Sequence, residues 1–338
     1  MGKKIPFFDI KREREPGVYW YICVGLRGGG KTYSNTRDLI CDREPGKNFL
    51  YIRRTLDELN ISTDPMYPDQ NPFLEINQDF NRNVEVKNCR RSDKLKRLYE
   101  EDEFIGFATS LNEIHKYRGM DIFRDTRYMY YDEFIPQENV RKMTGEGKAI
   151  LNLYETVNRD RELKGEEPVI FTLTANSNDI SHDLFVELHL VELLERMKRR
   201  GQKRTRRGKL KIIYFEEQDF IDLKKETVLY QLTKGTDFYE MALNNQFAYN
   251  DFSDIESKNL IEYKPVCKIN GITVFRHKSR YEYYVTTTNA NCKEYKNTQD
   301  GKIQFLLEHG KYIRDAYIYN SIYFASYLSK KLLTDVLL

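Results

Sequence analysis

Residues 18–32 read VYWYICVGLRGGGKT. The first seven, Val18 to Val24, form an unbroken run of apolar, β-branched and aromatic side chains, the pattern of a strand buried on both faces. The next eight, Gly25-Leu26-Arg27-Gly28-Gly29-Gly30-Lys31-Thr32, fit G-x-x-x-x-G-K-[ST] without a mismatch, and Lys31 to Ile40 then reads as a helix. Strand, glycine-rich turn and helix in that order are the setting in which this pattern cradles phosphate. Backbone N–H groups point inward without Cβ clashes, and the helix start adds its positive end. Lys31 is expected to reach the β- and γ-phosphates and Thr32 to ligate Mg²⁺, with Gly25, Arg27, Gly28, Gly29 and Gly30 completing an ATP-binding loop. The bland alternative is a flexible glycine turn, which the flanking strand and helix disfavour.

Outward from this stretch, Asn48 to Arg53, Thr126 to Phe134 and Pro168 to Asn176 are further strand candidates, and Lys148 to Leu163 has helical spacing. Strands alternating with helices imply an α/β fold with a parallel sheet. Lys96 to Tyr99 and Phe104 to Ser110 flank an acidic turn and predict an inserted hairpin. Leu184 to Arg200 reads as one helix running into a basic segment. Beyond about residue 212, Val266 to Asn270, Ile272 to Phe275 and Tyr281 to Thr288 alternate as strands around Asn270-Gly271, a strong hairpin signal, so a smaller mixed or β-rich second domain is expected.

A hydrolase needs a carboxylate on the metal and a second group to activate water, both at the C-terminal edge of a neighbouring strand. Tyr128-Met129-Tyr130-Tyr131-Asp132-Glu133 supplies the pair: Asp132 for the Mg²⁺ shell and Glu133 to polarise the attacking water. Alone, the pair reads as an exposed acidic strand end; the phosphate loop tips the balance to catalysis. Asn176, at the end of its own strand, either senses the γ-phosphate or caps the next turn beside Ser177 and Asn178. Arg159 sits in Asn158-Arg159-Asp160-Arg161 at a helix end, where arginines usually complement the dipole.

The 338 residues are 40% hydrophobic and 32% charged, with 25 Tyr and 19 Phe, an ordinary globular composition apart from its aromatics. Nothing resembles a membrane span or a cleaved leader, so no membrane association is expected. Five widely spaced cysteines (Cys23, Cys41, Cys89, Cys267, Cys292) and five scattered histidines argue for free thiols in a reducing compartment and against a zinc site. Net charge is +3, yet residues 196–211 hold ten Lys or Arg and no acid, leaving −7 for the remainder. That run reads either as a solvated linker or as a nucleic-acid backbone contact through Lys198, Arg199, Arg200, Lys203 and Arg204.

The blocks GLRGGGKT, FLYIRR, YYDEF, LNLYETVNRDRE, TLTAN and GTDFYEMALNNQF, in this order, resemble the genome-packaging motor ATPases of phi-29-like tailed phages, distant relatives of the large terminase subunits. The resemblance covers roughly residues 18–250. It implies a P-loop NTPase of the additional-strand, catalytic-Glu type, a homopentameric ring at the portal of a prohead in the host cytoplasm, ATP-driven translocation of double-stranded DNA, and a structural RNA as a further possible partner. It places a trans-acting arginine at Arg159. It also implies a degenerate RNase H-like C-terminal domain that docks or guides DNA and does not cut. The expected division is an ATPase domain over 1–205, a basic linker and lid over 206–246, and the C-terminal domain over 247–338. A cellular ring-shaped helicase or segregation pump, and a non-hydrolysing nucleotide-bound scaffold, are the competing readings.

Overall fold

The computed structural model describes residues 6–64, 68–87, 94–117, 119–136, 140, 143, 145–176, 179–236, 238, 239, 243 and 252–337. Cys89, Ser177, Asn178, Asp251 and most of the GTDFYEMALNNQF block lie outside them. The chain divides into two compact units, Met1–Asp179 with Arg200–Tyr249, and Ile180–Arg199 with Asn250–Leu338.

The first unit is built on a nine-stranded sheet of β1 (Trp20–Gly25), β2 (Asn48–Arg53), β3 (Val84–Lys87), β4 (Leu95–Glu100), β5 (Glu103–Ser110), β6 (Thr126–Tyr131), β7 (Ile170–Ala175), β8 (Arg204–Arg207) and β9 (Leu210–Phe215), in the order β3-β4-β5-β2-β6-β7-β1-β9-β8. The six strands from β5 to β9 in this order pair in parallel. Antiparallel hairpins finish both edges. The inner strands are buried along almost their whole length, which is why they read as continuous apolar runs and not as alternation. Much of the aromatic excess is here: Phe49, Tyr51, Tyr130, Tyr131 and Phe171 are fully buried, each contributing roughly 1.5–3 kcal/mol from burial. β7 lies between β1, which carries the phosphate loop, and β6, which carries the acidic pair. That insertion is the feature for which the additional-strand class is named.

Two sequence expectations need correction. The stretch 206–246 is not simply a linker, because β9 pairs with β1 over six residues and Ile212 and Ile213 are core side chains. Its signal was hidden by the surrounding Lys and Arg. The helix expected over Leu184 to Arg200 is two, Asp183–Glu187 and Val191–Arg199, separated where His189 takes a φ of +54°; both belong to the second unit. That unit combines a sheet with helices, the mixed form of the expected second domain. Its five-stranded sheet of β10 (Tyr263–Ile269), β11 (Ile272–His277), β12 (Tyr283–Thr286), β13 (Lys293–Tyr295) and β14 (Ile322–Phe324) has the order β13-β10-β11-β12-β14. Phe305, Ala316, Leu333 and Val336 from helices Gln299–Phe305, Lys311–Ile318 and Tyr327–Leu337 join its core. The Asn270-Gly271 turn joins β10 to β11 as expected, with both residues at positive φ, 49° and 76°, the geometry of a type I′ hairpin.

Candidate nucleotide site

The phosphate loop is shaped by the strand beside it. A Cβ on Gly25 would lie 2.5 Å from the Phe215 carbonyl oxygen of β9, so only glycine lets the two strands approach. Gly30 caps helix Lys31–Cys41 at φ 82° with no side chain on the first-turn amides, leaving those donors for an anion.

Lys31 is 5% exposed. Its Nζ donates to the carbonyls of Gly25 and Leu26, both at 2.8 Å, and to Asn176 Oδ1 at 2.9 Å. All three acceptors are neutral. Burial pushes the Lys31 pKa down to about 8, against the pull of Asp132 and Glu133. Among the described residues this cation has no direct ion-pair partner, and phosphate oxygens would supply one.

The acidic pair sits where β6 ends. Asp132 N–H still donates to Ile52 O of β2 at 3.1 Å, whereas Phe134 N–H donates to Thr174 O of β7 at 3.0 Å. Between them Glu133 takes a φ of +55°, a strained conformation for a side-chain-bearing residue that costs on the order of 1–3 kcal/mol and sets the direction of its carboxylate. Asp132 is buried and accepts from Tyr130 OH at 2.7 Å, Thr174 Oγ1 at 2.9 Å and Arg53 Nη1 at 3.2 Å. Burial, and next the Asp132 charge, push the Tyr130 pKa well up, so the phenol remains a donor. Thr32 Oγ1 lies 3.3 and 3.4 Å from the two Asp132 oxygens. A hydroxyl and a carboxylate so placed beside a phosphate loop are a donor set that fits Mg²⁺.

Glu133 accepts from Arg53 Nη2 at 3.2 Å and from Asn176 Nδ2 at 3.0 Å. The hydrogen bonds therefore run in a connected circuit: Lys31, Asn176, Glu133, Arg53, Asp132, Thr32. Sequence reading named five of these six and missed Arg53, although it ends β2 at the same sheet edge as the acidic pair. Asn176 is in the circuit, which the turn-capping reading does not require.

Arg159 stands apart. It ends helix Glu146–Asn158 at φ 50°, ψ −132°, and its Nη1 pairs with Asp121 Oδ1 at 2.7 Å. Arg161, two residues on, is structural: its Nη2 donates to the carbonyls of Arg124 and Thr126 at 2.6 and 2.7 Å. Arg27 is exposed at the cavity beside the loop.

The basic run is divided and partly neutralised. Arg204 pairs with Glu13 at 2.8 Å, Arg206 with Glu15 at 3.3 Å, and buried Lys211 with both, at 2.9 and 2.7 Å. Lys203 donates to the Glu216 carbonyl at 2.6 Å. Arg196, Arg199 and Arg200 keep more of their surface in solvent than Lys211 does, with Arg199 bonded to Glu195 at 2.9 Å.

This fold and site define a P-loop nucleotide-binding protein of the additional-strand class. The family model for the podovirus DNA encapsidation protein (Gp16) matches residues 17–297, and the chain belongs to that family of phage DNA-packaging proteins. It is 28% identical over 242 residues to the DNA packaging protein of Bacillus phage B103, covering 70% of this chain and 67% of that one. With the DNA packaging protein of Bacillus phage phi29 the identity is 26% over 239 residues, 70% of this chain and 64% of the relative. In fold it is similar to a chain of the bacteriophage Phi-29 viral genome packaging motor assembly (TM-score 0.69, 20% identity, 98% of each chain). A chain of the Phi-28 gp11 DNA packaging motor is also similar (TM-score 0.62, 18% identity, 99% and 97%). The packaging family, not a cellular helicase or pump, is where this chain stands.

Proposed function

We propose that the chain hydrolyses ATP and couples the reaction to movement of double-stranded DNA into a prohead in the host cell. In this reading it works as a homopentameric ring at the portal, with a structural RNA as a further candidate partner. The observation that carries the catalytic part is the circuit from Lys31 through Asn176, Glu133, Arg53 and Asp132 to Thr32. In it one amide, Asn176, touches both the phosphate-binding cation and the water-activating carboxylate. When phosphate oxygens accept the Lys31 N–H hydrogen bonds, Asn176 Oδ1 loses its donor, and the same side chain holds Glu133. Asn176 therefore reports an occupied loop to the base. Thr32 and Asp132 would hold Mg²⁺, which when bound neutralises charge on the β- and γ-phosphates. Glu133 then accepts the proton of the attacking water, and Arg27 offers further positive charge at the loop rim. Phosphate release, measured with and without duplex DNA and proheads, tests the reading; no release under any of these conditions would overturn it.

The depressed Lys31 pKa fixes the sign of a pH effect. Phosphate oxygens favour the charged amine, so its pKa rises when ATP binds. Affinity should be flat below about pH 8 and fall above it, as the free protein gives up a proton that the complex retains. Calorimetry at about pH 8.5 in two buffers of different ionisation enthalpy should show net proton uptake on binding. An affinity constant from about pH 7 to 9.5 would show that Lys31 holds its charge without phosphate.

For DNA, Lys203 and Arg204 are held by the sequence-distant Glu216 and Glu13, whereas Arg199 is held by Glu195 one turn back on its own helix, a pairing of a few tenths of a kcal/mol, so Lys198, Arg199 and Arg200 are the three we propose as contacts. Neutralising these three should lower the log–log salt slope of duplex binding by up to about 0.9 for each phosphate no longer neutralised. Lys203→Ala with Arg204→Ala should leave it unchanged. Equal slopes for all variants would return the whole run to solvent.

The second unit is proposed to dock or guide and not to cut. β10, β11, β12 and β14 carry no acid, and Glu294 of β13 is exposed beside Lys268 at 3.2 Å. Asp254 pairs with Lys330 at 2.8 Å and Glu256 with Lys258 at 2.9 Å. Among the described residues no three His, Cys, Asp or Glu converge as a metal site, whereas a two-metal nuclease needs clustered carboxylates.

A further inference from the structure

The phosphate loop forms only one wall of a larger cavity of about 670 Å³, whose other walls are Phe7, Tyr33, Glu75 and Asp79. That volume is in the range of a small-molecule site. Lys31, Thr32 and Asn176, with their links to Asp132 and Glu133, mark where the terminal phosphate reacts. The part of the cavity bounded by Phe7 and Tyr33 is then left for the other end of the ligand.

Phe7 is held in an unusual way. The segment around it is sewn across the loop: Phe8 N–H donates to Gly29 O at 2.9 Å and Ile10 N–H to Ser34 Oγ at 2.8 Å. Phe8 and Ile10 are 4% and 0% exposed, whereas Phe7 between the loop and solvent is 53% exposed. Its ring is 6.0 Å from that of Phe220, and a Cβ on Gly30 would come within 3.2 Å of its own Cβ. An aromatic ring anchored by its neighbours at the rim of a cavity, with much of its surface bare, is a stacking platform awaiting a flat partner.

Part of the lining is acidic. Glu75 and Asp79 stand four residues apart on helix Leu74–Phe80, a like-charged spacing that weakens a helix. Tyr33, the residue after Thr32, donates to Asp79 Oδ2 at 2.6 Å. Carboxylates would repel phosphates but accept readily from sugar hydroxyls, the role an acidic residue plays toward ribose in dinucleotide folds.

We propose that this cavity is the nucleoside subsite of the phosphate loop, with Phe7 stacking on the base and the Glu75/Asp79 pair accepting the ribose hydroxyls. The assignment rests on the nucleotide-binding reading above, and its test separates the two. Dissociation constants are measured by calorimetry for Mg-ATP, for its 2′,3′-dideoxy analogue and for Mg-tripolyphosphate, which has no nucleoside. Phe7→Ala should weaken ATP about 10- to 100-fold while tripolyphosphate binds as before. Glu75→Gln with Asp79→Asn should abolish the preference for ATP over the dideoxy form and again spare tripolyphosphate. Phe7→Trp should keep ATP affinity and show indole fluorescence quenched by ATP but not by tripolyphosphate, against a parent whose sequence holds one tryptophan. If Phe7→Ala weakens both ligands equally, or neither, or if the Phe7→Trp signal ignores ATP, the subsite is wrong while the loop stands. If the parent chain binds neither ATP nor tripolyphosphate, the nucleotide reading itself fails and takes the subsite with it.

Discussion

Glu133→Gln should bind ATP at least as tightly as the parent chain and hydrolyse it about 10²–10⁴-fold more slowly, the usual contribution of a positioned general base. The substitution keeps shape and one acceptor oxygen, so Asn176 Nδ2 retains a partner 3.0 Å away and Arg53 keeps Asp132 at 3.2 Å. What it removes is the charge that takes the proton of the water. Binding is spared because the groups facing phosphate, Lys31 and the amides after Gly30, are untouched. Lys31→Ala is the contrasting variant: it deletes the buried cation and should abolish ATP binding altogether. Single-turnover phosphate release with equilibrium binding on the same preparations distinguishes the two. Near-normal turnover in Glu133→Gln would show that the strained φ at this position aims the carboxylate at Arg53 for structural reasons alone.

Arg159→Ala should lower turnover by about 10³–10⁵, the range for an arginine that stabilises charge on a transferring phosphoryl group, while the melting temperature stays within a degree or two. The geometry explains why so large a catalytic loss would come with so small a structural one. Within its own subunit Arg159 pairs with Asp121, and the two side chains are 31% and 66% exposed. Exposed pairs of this kind contribute roughly 0–1 kcal/mol, so the guanidinium can leave at little cost. Its backbone, at φ 50°, ψ −132°, is an outlier for a residue with a side chain, as expected where function outweighs local comfort. Asp121 is not one of the six residues of the circuit at the phosphate loop, so the pair leaves Arg159 available to act on a neighbouring copy. Mixing Lys31→Ala with Arg159→Ala, each inactive alone, should restore part of the ATPase in mixed rings. Arg161→Ala marks the opposite case, since it strips the carbonyls of Phe123, Arg124 and Thr126 of a buried donor and should lower stability first. A mixture with no recovery in demonstrably mixed assemblies would sink the trans assignment.

The chemistry of this chain was written locally. The phosphate loop needs glycines and a lysine at fixed spacing between a strand and a helix, and Gly25 to Thr32 meets that need within eight residues. Asp132-Glu133 at the end of an apolar run, and Asn270-Gly271 between two alternating runs, are equally short-range signals, because strand ends and type I′ turns are decided by a few adjacent φ angles. The register of the site was not local. Arg53 was invisible as a partner of Glu133 until β2 and β6 were paired, and Asn176, read as a turn cap or a sensor, meets Lys31 and Glu133 only with β7 placed between β1 and β6. β9 was masked because its apolar core, Ile212 to Phe215, follows a basic run that composition assigns to solvent. Only pairing with β1 shows that Lys211 is buried against Glu13 and Glu15, near the other end of the first unit's sequence. The sequence alone thus named the groups proposed to bind phosphate and activate water, since those proposals depend on residue type and short spacing. Which of them meet, and which cations are already spent on internal acids, was decided by strand order, because contacts between distant residues exist only once the sheet has closed.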